Sequence, residues 1–200
     1  MARQNGSRRD EIIAIATNLF AEQSYHGVGM RAIADAVGIR SSSLYHHFQS
    51  KDDLLAAITS EYAHEFIESH LPVLEGDGPP DVRLRSVLHN QVVYFWEHRR
   101  QRMVGLRELG TLAAVRPEVH EKVREDLRRY QRAIDQAIAE GVRDGVFTVE
   151  HPKLAGLAIT GLVISVNDWF RPDGELSIEE VAEYYAWLAV DRLLGAGQEL

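Results

Sequence analysis

One short polar segment, "RSSSLYHHFQSKDD" at residues 40–53, holds most of the residue types in this chain that could do chemistry. It places three consecutive serines, a tyrosine and two adjacent histidines within fourteen residues. Serine with histidine could act as nucleophile and base, paired histidines could bind a metal, and serine, tyrosine and lysine could contact phosphate. Nucleophilic catalysis needs a base, a nucleophile and an orienting group in a shared geometry, whereas these residues share one short helix. The segment therefore favours phosphate contact.

The other histidines do not form a predicted metal site. In "HEFIESH", His64 and His70 are six positions apart, or about 240° around a helix, whereas the zinc-protease pattern needs histidines four apart on one face. The chain has no cysteine, which excludes disulfides, thiolate metal sites and thiol nucleophiles. It also lacks a G-x-S-x-G motif and a glycine-rich phosphate loop. We predict no metal, no cofactor and no enzymatic activity.

Composition and charge predict an intracellular protein with one local cationic face. Hydrophobic residues make up 45% of the 200 positions, which is enough for a substantial core. The longest apolar run, residues 154–166, is too short to span a bilayer, and the N-terminal residues lack the apolar stretch of a signal peptide, so we expect a cytoplasmic protein without membrane contact. Residues 1–55 hold six basic and six acidic side chains, and the net charge of −8 lies entirely in residues 56–200. The first nine residues include Arg3, Arg8 and Arg9 and no acid.

Helical periodicity runs through almost the whole chain and predicts an all-α fold of about nine helices. We expect a C-terminal cap at Gly38, an N-cap at Ser50 supported by Asp53, and a helix end at Pro72. Two short helices meet at Gly38 with a longer helix on either side, which is the order of a helix–turn–helix that can enter a DNA major groove. The predicted helices cover residues 9–23, 30–38, 41–48, 51–71, 82–99, 101–114, 117–144, 151–170 and 178–196.

The segment "FAEQSYHGVGMRAIADAVGIRSSSLYHHFQSKDDLL" resembles the DNA-binding domain of the TetR family of transcriptional regulators. The likeness covers roughly residues 9–56, and "LYHHF" followed by "SKDDLL" is its most specific part. The resemblance implies a three-helix helix–turn–helix DNA-binding domain at 1–55 and a larger helical domain at 56–200. The second domain would bind a small effector and form a homodimer, and the dimer would bind a double-stranded, pseudopalindromic operator.

The resemblance also implies a role for individual residues. Leu44 and Phe48 would pack the domain. Gly29 stands where the family usually has a capping threonine or serine, and Ser41 stands where a lysine is common, so Arg40 would supply the local cation. His47 could either pack or face solvent, because helical geometry turns it away from its neighbour. The DNA-contacting residues would be Arg31, Arg40, Ser41, Ser42, Ser43, Tyr45, His46 and Lys51.

Two sets of apolar residues indicate that the larger domain forms a dimer and binds an effector. The final helix is apolar on more than one face, through residues such as Val181, Tyr184 and Leu193, which predicts a homodimer formed by the last two helices, about 151–170 and 178–196. Aromatic and aliphatic residues of the middle helices could line an effector pocket, although the same residues would suit an ordinary core. The candidate pocket residues are Phe66, Tyr94, Trp96, Leu106, Leu109, Tyr130, Ile134 and Trp169, with Arg171 as a cation.

A further likeness concerns the effector. "NDWFRPDGELSIEEV" at 167–181 resembles the corresponding turn in TetR-family repressors of lipid and sterol catabolism, which respond to acyl-CoA thioesters. An acyl-CoA needs an apolar slot and cations for its phosphates, and "HRRQR" at 98–102, Arg107 and Arg171 could supply the cations. We therefore predict a repressor released by a small hydrophobic effector such as an acyl-CoA. A multidrug-responsive repressor of an efflux gene, an interaction module that has lost DNA binding and, last, an enzyme remain the alternatives.

Overall fold

The computed structural model describes residues 2–196, with side chains from residue 8 onward. This part of the chain contains ten α-helices and no strand, which confirms the predicted all-α class. None of its helices has the length and apolar character needed to cross a membrane. The helices are α1 (Ala2–Gly27), α2 (Met30–Val37), α3 (Ser41–His47), α4 (Lys51–Glu75), α5 (Pro80–Glu97), α6 (Arg99–Arg107), α7 (Leu109–Val115), α8 (Pro117–Arg143), α9 (Pro152–Trp169) and α10 (Ile178–Trp187).

The chain divides into two compact units. The first unit comprises the chain up to His64 together with Arg99–Glu125. The second unit comprises Glu65–His98 and the chain from Asp126 onward. The functional division at residues 1–55 and 56–200 stays a prediction.

The core of the first unit is built on the apolar stripe predicted for α1. Ile12, Ala16 and Phe20 recur every fourth residue and are fully buried, as expected for one face of a helix. Leu44 and Phe48 are buried in the same cluster, which confirms the packing role predicted for them. Burial of this face fixes α1, α2 and α3 against one another. The polar faces of the short helices are thereby left outward.

The core of the second unit is formed by α5, α8, α9 and α10 together with the C-terminal part of α4. Buried residues of α5 recur at Leu84, Leu88 and Val92, and α10 packs along this helix. Gly156 brings α9 close to α8, because a Cβ at this position would lie 2.6 Å from a carboxylate oxygen of Asp135. A larger residue at this position would therefore push the two helices apart.

The predicted end of the fourth helix at Pro72 is wrong. α4 continues through Pro72 to Glu75. A proline removes one N–H and crowds one turn, and only three further residues follow it in the helix. Leu71 and Leu74 are both buried in the second unit, and their burial keeps this last turn helical. The guanidinium of Arg83 also donates a hydrogen bond to the carbonyl oxygen of Leu74 at the helix end.

The predicted single helix at 101–114 is two helices, α6 and α7, which raises the count from nine to ten. Glu108 lies between them with φ −98° and ψ 14°. Its N–H still donates to the carbonyl of Val104 at 2.9 Å, and its carbonyl accepts from the N–H of Leu112 at 2.8 Å. The break is therefore a local change of direction at one residue.

The last predicted helix also departs from regular geometry. After α10 the chain continues as a six-residue π-helical stretch, Leu188–Leu193. The N–H of Leu194 donates to the carbonyl of Ala189 at 3.0 Å, five residues back. This wider turn buries Ala189, Val190 and Leu194 together. Val181 is buried as well, whereas Tyr184 and Leu193 are exposed, so the apolar residues do cover more than one face.

Candidate nucleic-acid interface

The turn between α2 and α3 is set by glycine. Gly38 adopts φ 74° and ψ 31°, a left-handed geometry that glycine enters without cost, and its N–H donates to carbonyls of the last turn of α2. The N–H of Ile39 then donates to the carbonyl of Ala34 at 3.0 Å. This cap confirms the predicted end of α2 and turns the chain into α3. At the other end of α2, Gly29 is the N-cap and gives no side-chain hydrogen bond, as expected.

The outward face of α3 carries the predicted reading residues. Leu44 is fully buried, and the residues on the opposite side of the helix are exposed. Tyr45 is 50% exposed although it is aromatic, and His46 is exposed beside it. His47 is half-buried, between the two alternatives left open for it. Ser42 and Ser43 are exposed and Ser41 is partly buried.

Two exposed arginines belong to the same pair of short helices. The side chain of Arg31 on α2 is 90% exposed, and its closest carboxylate is that of Asp35, at 4.0 Å. Arg40 is exposed and is the N-cap of α3, where its carbonyl accepts from the N–H of Ser43 at 2.9 Å. Surface ion pairs contribute little, so both guanidinium groups can reach an anion in solution. The helix–turn–helix thus combines neutral hydroxyl groups on α3 with two exposed cations.

Lys51 occupies a different position from the other predicted DNA contacts. Its ammonium group donates to the carbonyl oxygens of Tyr25 at 2.9 Å and Val28 at 3.0 Å. It also lies 4.2 Å from the centre of the Tyr25 ring. Two of its three N–H donors therefore bind the end of α1, and one is left for another acceptor.

The N-terminal arginines are also paired. Arg8 binds Glu11 at 2.7 Å. Arg9 binds Glu61 and its guanidinium lies 5.3 Å from the centre of the Phe48 ring. The side chain of Arg3 lies outside the described residues. The cationic face expected from the first nine residues is thus partly neutralised within the first unit.

The first turn of α4 is tied to two other elements of the first unit. Ser50 accepts from the N–H of Asp53 at 3.0 Å, which confirms the predicted cap. The guanidinium of Arg116 donates to the Asp53 carboxylate and, with the Ser50 hydroxyl, holds the pKa of that carboxyl below its usual range. Asp52 accepts from the hydroxyl of Tyr25, and burial together with this bond raises the pKa of the tyrosine. The start of α4 is therefore fixed to α1 and to the α7–α8 joint.

Sequence reasoning missed Glu108, which is only 5% exposed. One carboxylate oxygen accepts from the N–H of Tyr25 at 3.1 Å, and the other accepts from the Thr111 hydroxyl at 3.1 Å. A signal was present, because Glu108 stands on the stripe formed by buried Val104 and Leu112 at four-residue spacing. A carboxylate on such a stripe is seldom buried without a specific partner.

Some of the candidate effector residues come together in the second unit. Phe66 lies 4.7 Å from Tyr130 and 5.6 Å from Tyr94 between ring centres. The Tyr130 hydroxyl donates to the buried side-chain oxygen of Gln91 at 2.9 Å, and burial raises the pKa of this tyrosine. His70 packs on Phe66 with ring centres 4.5 Å apart, and burial lowers its pKa. We call Phe66, His70, Gln91, Tyr94 and Tyr130 the aromatic cluster.

The other candidates are placed elsewhere. Ile134 is fully buried in the core of the second unit. Trp96 packs on Phe170 with ring centres 4.7 Å apart, and the following exposed residue, Arg171, donates to the Phe170 carbonyl at 3.0 Å. Trp169 is 44% exposed. Leu106 and Leu109 belong to the first unit and are exposed, whereas the residues of the aromatic cluster belong to the second unit.

The arginines proposed for acyl-CoA phosphates have other partners. Arg107 donates to the carbonyl oxygens of Phe20 and Ala21 at the end of α1. Arg100 donates to the side-chain oxygen of Asn18. Among the described residues, no three histidine, aspartate or glutamate side chains are grouped so that they could hold a metal ion.

The α2–α3 arrangement and its outward polar face define a helix–turn–helix DNA-binding protein. Comparison with known proteins gives the family. Residues 12–58 match the family described as bacterial regulatory proteins, tetR family, and residues 77–193 match the tetracyclin repressor-like C-terminal domain.

Individual relatives agree over most of the chain. The HTH-type transcriptional repressor KstR2 of Mycolicibacterium smegmatis is 27% identical over 187 residues, which cover 91% of this chain and 88% of that protein. The structure of the ketosteroid transcriptional regulator KstR2 of Mycobacterium tuberculosis has a TM-score of 0.84 at 23% identity, covering 96% of each chain. AibR in complex with isovaleryl coenzyme A and operator DNA has a TM-score of 0.77 at 24% identity, covering 92% of this chain and 98% of AibR. The two structural likenesses establish the fold.

The chain belongs to the TetR family of transcriptional regulators, because the C-terminal family match alone covers more than half of its residues. The resemblance seen in "LYHHF" and "SKDDLL" is thereby confirmed. Proteins of this family are DNA-binding regulators, which confirms the expectation that the chain is not an enzyme.

Proposed function

We propose that the protein is an effector-responsive repressor that binds a pseudopalindromic operator as a homodimer and is released by an acyl-CoA thioester. The observation that carries this proposal is the outward face of α3, where Tyr45 and His46 are exposed, together with the exposed cations Arg31 on α2 and Arg40 at the N-cap of α3. Exposed hydroxyl and imidazole groups can bond phosphates and base edges in a major groove. Repression is supported by the relative KstR2, a repressor that is similar over nearly the whole chain.

An apolar surface on α9 supports the homodimer. Leu154, Leu157 and Ile164 recur on one side of this helix and are 63%, 53% and 39% exposed. Tyr184 and Leu193, farther along the chain, are also exposed, so α9 and the segment that begins with α10 both carry apolar side chains without cover in one protomer. A second copy of the chain would bury both sets by a two-fold arrangement of the last two helices. Two-fold symmetry then spaces the two α3 helices for half-sites about 34–36 Å apart or a multiple of that distance.

The aromatic cluster supports a hydrophobic effector. It combines apolar rings with a few polar groups, the side chains of His70 and Gln91 and the Tyr130 hydroxyl, as small-molecule sites do. The CoA moiety would use the exposed pair Trp169 and Arg171, an aromatic face for the base and a cation for phosphate. An acyl-CoA is also bound in the structure of AibR with operator DNA, and AibR shares this fold. A repressor that binds operator DNA would act in the cytoplasm, where the DNA is.

The test begins with an operator recovered by selection from a random DNA pool. The operator complex is then titrated with isovaleryl-CoA, a long-chain acyl-CoA, a polycyclic acyl-CoA, free CoA and a cationic aromatic dye. We expect at least one acyl-CoA to release the DNA while free CoA does not. Release by the dye alone would contradict the acyl-CoA proposal and favour a multidrug-responsive repressor. Failure to recover any operator would contradict the DNA-binding role.

A matched pair of variants tests the reading face. Tyr45→Ala removes an exposed side chain of α3, so we expect weaker operator binding with unchanged folding. Leu176→Ala removes a side chain that is exposed to a similar extent, 54%, in the turn between α9 and α10. We expect this control to bind the operator as the wild type does. Equal affinity of all three proteins in a gel-shift assay would contradict the assignment of α3.

A further inference from the structure

Ser24 has a backbone geometry that is strained for any residue except glycine. Its φ is 65° and its ψ is 161°, a region that non-glycine residues avoid. It is the single non-glycine residue with positive φ in the described part of the chain. Such a geometry persists only where the surrounding contacts hold it. Ser24 lies where the regular part of α1 ends and the chain turns towards α2, so its geometry sets the direction of that turn.

Two consecutive residues, the last residue of α6 and the one after it, hold the chain on both sides of Ser24. Before it, the guanidinium of Arg107 donates to the carbonyl oxygens of Phe20 and Ala21. After it, the carboxylate of Glu108 accepts from the N–H of Tyr25 at 3.1 Å. Tyr25 is itself buried, and its carbonyl and hydroxyl bind the first two residues of α4. The geometry of Ser24 is therefore fixed from outside α1.

Stability alone does not account for a carboxylate at position 108. Burying a charge is costly unless it is paired, and apolar replacements of buried ionic groups are often neutral or stabilising. An apolar residue here would continue the buried stripe of Val104 and Leu112. Instead, the Glu108 carboxylate lies 3.4 Å from Arg107 Nε and accepts hydrogen bonds from the Thr111 hydroxyl and the Tyr25 N–H. Of these partners, only Tyr25 lies outside the α6–α7 segment.

We propose that Glu108 is a positioning residue for operator binding, which acts by holding Ser24 in its strained geometry through the Tyr25 N–H. The proposal rests on the operator-reading role proposed for α3. Loss of the bond lets Ser24 relax to an ordinary backbone region, and Tyr25 then moves with the turn. Because α2 follows this turn directly, its direction relative to α1 changes, and α3 moves with α2.

The proposal predicts that Ser24 and Glu108 are energetically coupled in operator binding. Glu108→Met keeps the length of the side chain and the packing but removes the acceptor, and we expect operator affinity to fall by about 5–150-fold, the usual range of a conformational coupling. Ser24→Gly adopts the same backbone geometry without strain, so it should bind like the wild type or more tightly. In the double variant, glycine should restore most of the affinity lost by Glu108→Met, which makes the two changes strongly non-additive.

A conservative variant separates positioning from general stability. Glu108→Gln retains an oxygen for the Tyr25 N–H, and we expect its operator affinity to stay within about threefold of the wild type, because a neutral acceptor still makes the bond. Circular dichroism and light scattering at the assay temperature establish that each variant is folded and dimeric. If Glu108→Met alone is unfolded, Ser24→Gly must restore both folding and operator affinity in the double variant.

Three results would overturn the proposal. The first is wild-type operator affinity in Glu108→Met. The second is that Glu108→Met lowers the affinity equally whether residue 24 is serine or glycine. The third is that Glu108→Gln lowers the affinity as much as Glu108→Met does. The proposal would also be overturned by a double variant that stays unfolded or does not bind the operator. The assay does not need an effector, so a negative acyl-CoA titration leaves it intact. Wild-type affinity in Tyr45→Ala would instead show that α3 is not the reading helix.

Discussion

The ammonium group of Lys51 lies 4.2 Å from the ring centre of Tyr25, and it donates hydrogen bonds to the carbonyl oxygens of Tyr25 and Val28. The contact joins the first residue of α4 to the end of α1. A cation over an aromatic ring and hydrogen bonds to two carbonyls both stabilise this junction. Lys51 thus has a structural role that the sequence did not indicate, in addition to the phosphate contact predicted for it.

Replacing Lys51 should therefore change stability as well as operator binding. In Lys51→Met the two carbonyl oxygens lose a charged donor, and we expect the free energy of unfolding to fall by about 1.5–3 kcal/mol. If the third N–H contacts phosphate, the slope of log affinity against log salt should also decrease by about one unit. Urea unfolding and salt titrations of operator binding measure the two effects.

Arg40→Gln is the matched control for Lys51→Met. Arg40 is exposed, so its removal should leave the free energy of unfolding within about 0.5 kcal/mol of the wild type. Its salt slope should nevertheless decrease, because its position beside α3 suits a phosphate contact. Wild-type stability in Lys51→Met would contradict the structural role of the lysine. An unchanged salt slope in Arg40→Gln would contradict the DNA contact assigned to that arginine.

The ion pair between Arg83 and Glu140 predicts a pH dependence of stability in the second unit. Arg83 is largely buried and donates to Glu140 and to the Leu74 carbonyl, and its hydrogen bond holds the pKa of the Glu140 carboxyl below the usual range. A carboxyl whose pKa is lowered by folding stabilises the protein above its unfolded pKa, about 4.3 for glutamate, and that contribution is lost as the pH falls through the folded value. We expect Glu140→Gln to lower the free energy of unfolding by about 0.5–1.5 kcal/mol at pH 7.

The difference between Glu140→Gln and the wild type should shrink as the pH falls below about 4, because the wild-type carboxyl is then protonated as well. Urea unfolding followed by tryptophan fluorescence reports on this unit, since all three tryptophans belong to it. The exposed Glu150 provides a control, Glu150→Gln, which should change stability little at either pH. A difference for Glu140→Gln that is constant with pH would contradict the predicted role of its charge.

The parts of the fold that follow from local residue types were predictable from the sequence. The left-handed cap at Gly38, the cap at Ser50 and the buried stripe of α1 all depend on neighbouring residues and on helical periodicity. The exposure of Tyr45 and His46 also followed from the position of buried Leu44 on the same short helix.

Contacts between residues far apart in the chain were not predictable in this way. The distant partners of Glu108 and Lys51 are backbone groups of Tyr25 and Val28, at the end of α1 and just after it, and backbone groups carry no signal in the sequence. The turn after Pro72 stays helical because Leu71 and Leu74 are buried in the second unit. Helix propensity depends on residue type alone and does not include this burial. The strained geometry of Ser24 has the same origin, because nothing in "EQSYHG" predicts a positive φ at a serine.

Two helical glycines provide a test of packing in the second unit. A Cβ at Gly141 would lie 2.1 Å from the ring of Phe147, which is itself 3% exposed. Gly141→Ala should therefore destabilise the protein by about 1–3 kcal/mol, the usual cost of overpacking a core, although alanine favours helices. At Gly161 on α9 no atom lies within 4 Å of an added Cβ. Gly161→Ala should leave the stability of the protomer unchanged or raise it by about 1 kcal/mol.

Thermal or urea unfolding at matched protein concentration compares the two glycine variants. Equal stability of Gly141→Ala and the wild type would show that Phe147 can move away at no cost, contrary to the packing described here. A loss of protomer stability in Gly161→Ala would show that this position is already crowded within one chain.

The exposed stripe on α9 gives the test of the dimer. Leu157 lies in the middle of the set formed with Leu154 and Ile164 and is 53% exposed. Leu157→Glu places a charge there, which costs little on a free surface and several kcal/mol when buried without a partner. We expect wild-type protein to be a dimer in light scattering, about twice the chain mass of 22.6 kDa. Leu157→Glu should be a monomer at the same micromolar concentration and should lose operator affinity, because one protomer reads only one half-site.

The control for Leu157→Glu is Leu176→Glu, in the turn between α9 and α10, where the leucine is 54% exposed. The same substitution at similar exposure should leave the dimer and operator binding intact. A dimeric Leu157→Glu would place the subunit contact elsewhere on the protein. Dissociation by both variants would mean that the interface extends beyond the last two helices into the turn that joins them. If the wild-type protein is a monomer in solution but still binds a two-fold operator, the predicted dimer in the absence of DNA is contradicted. Two protomers would then come together only on the operator.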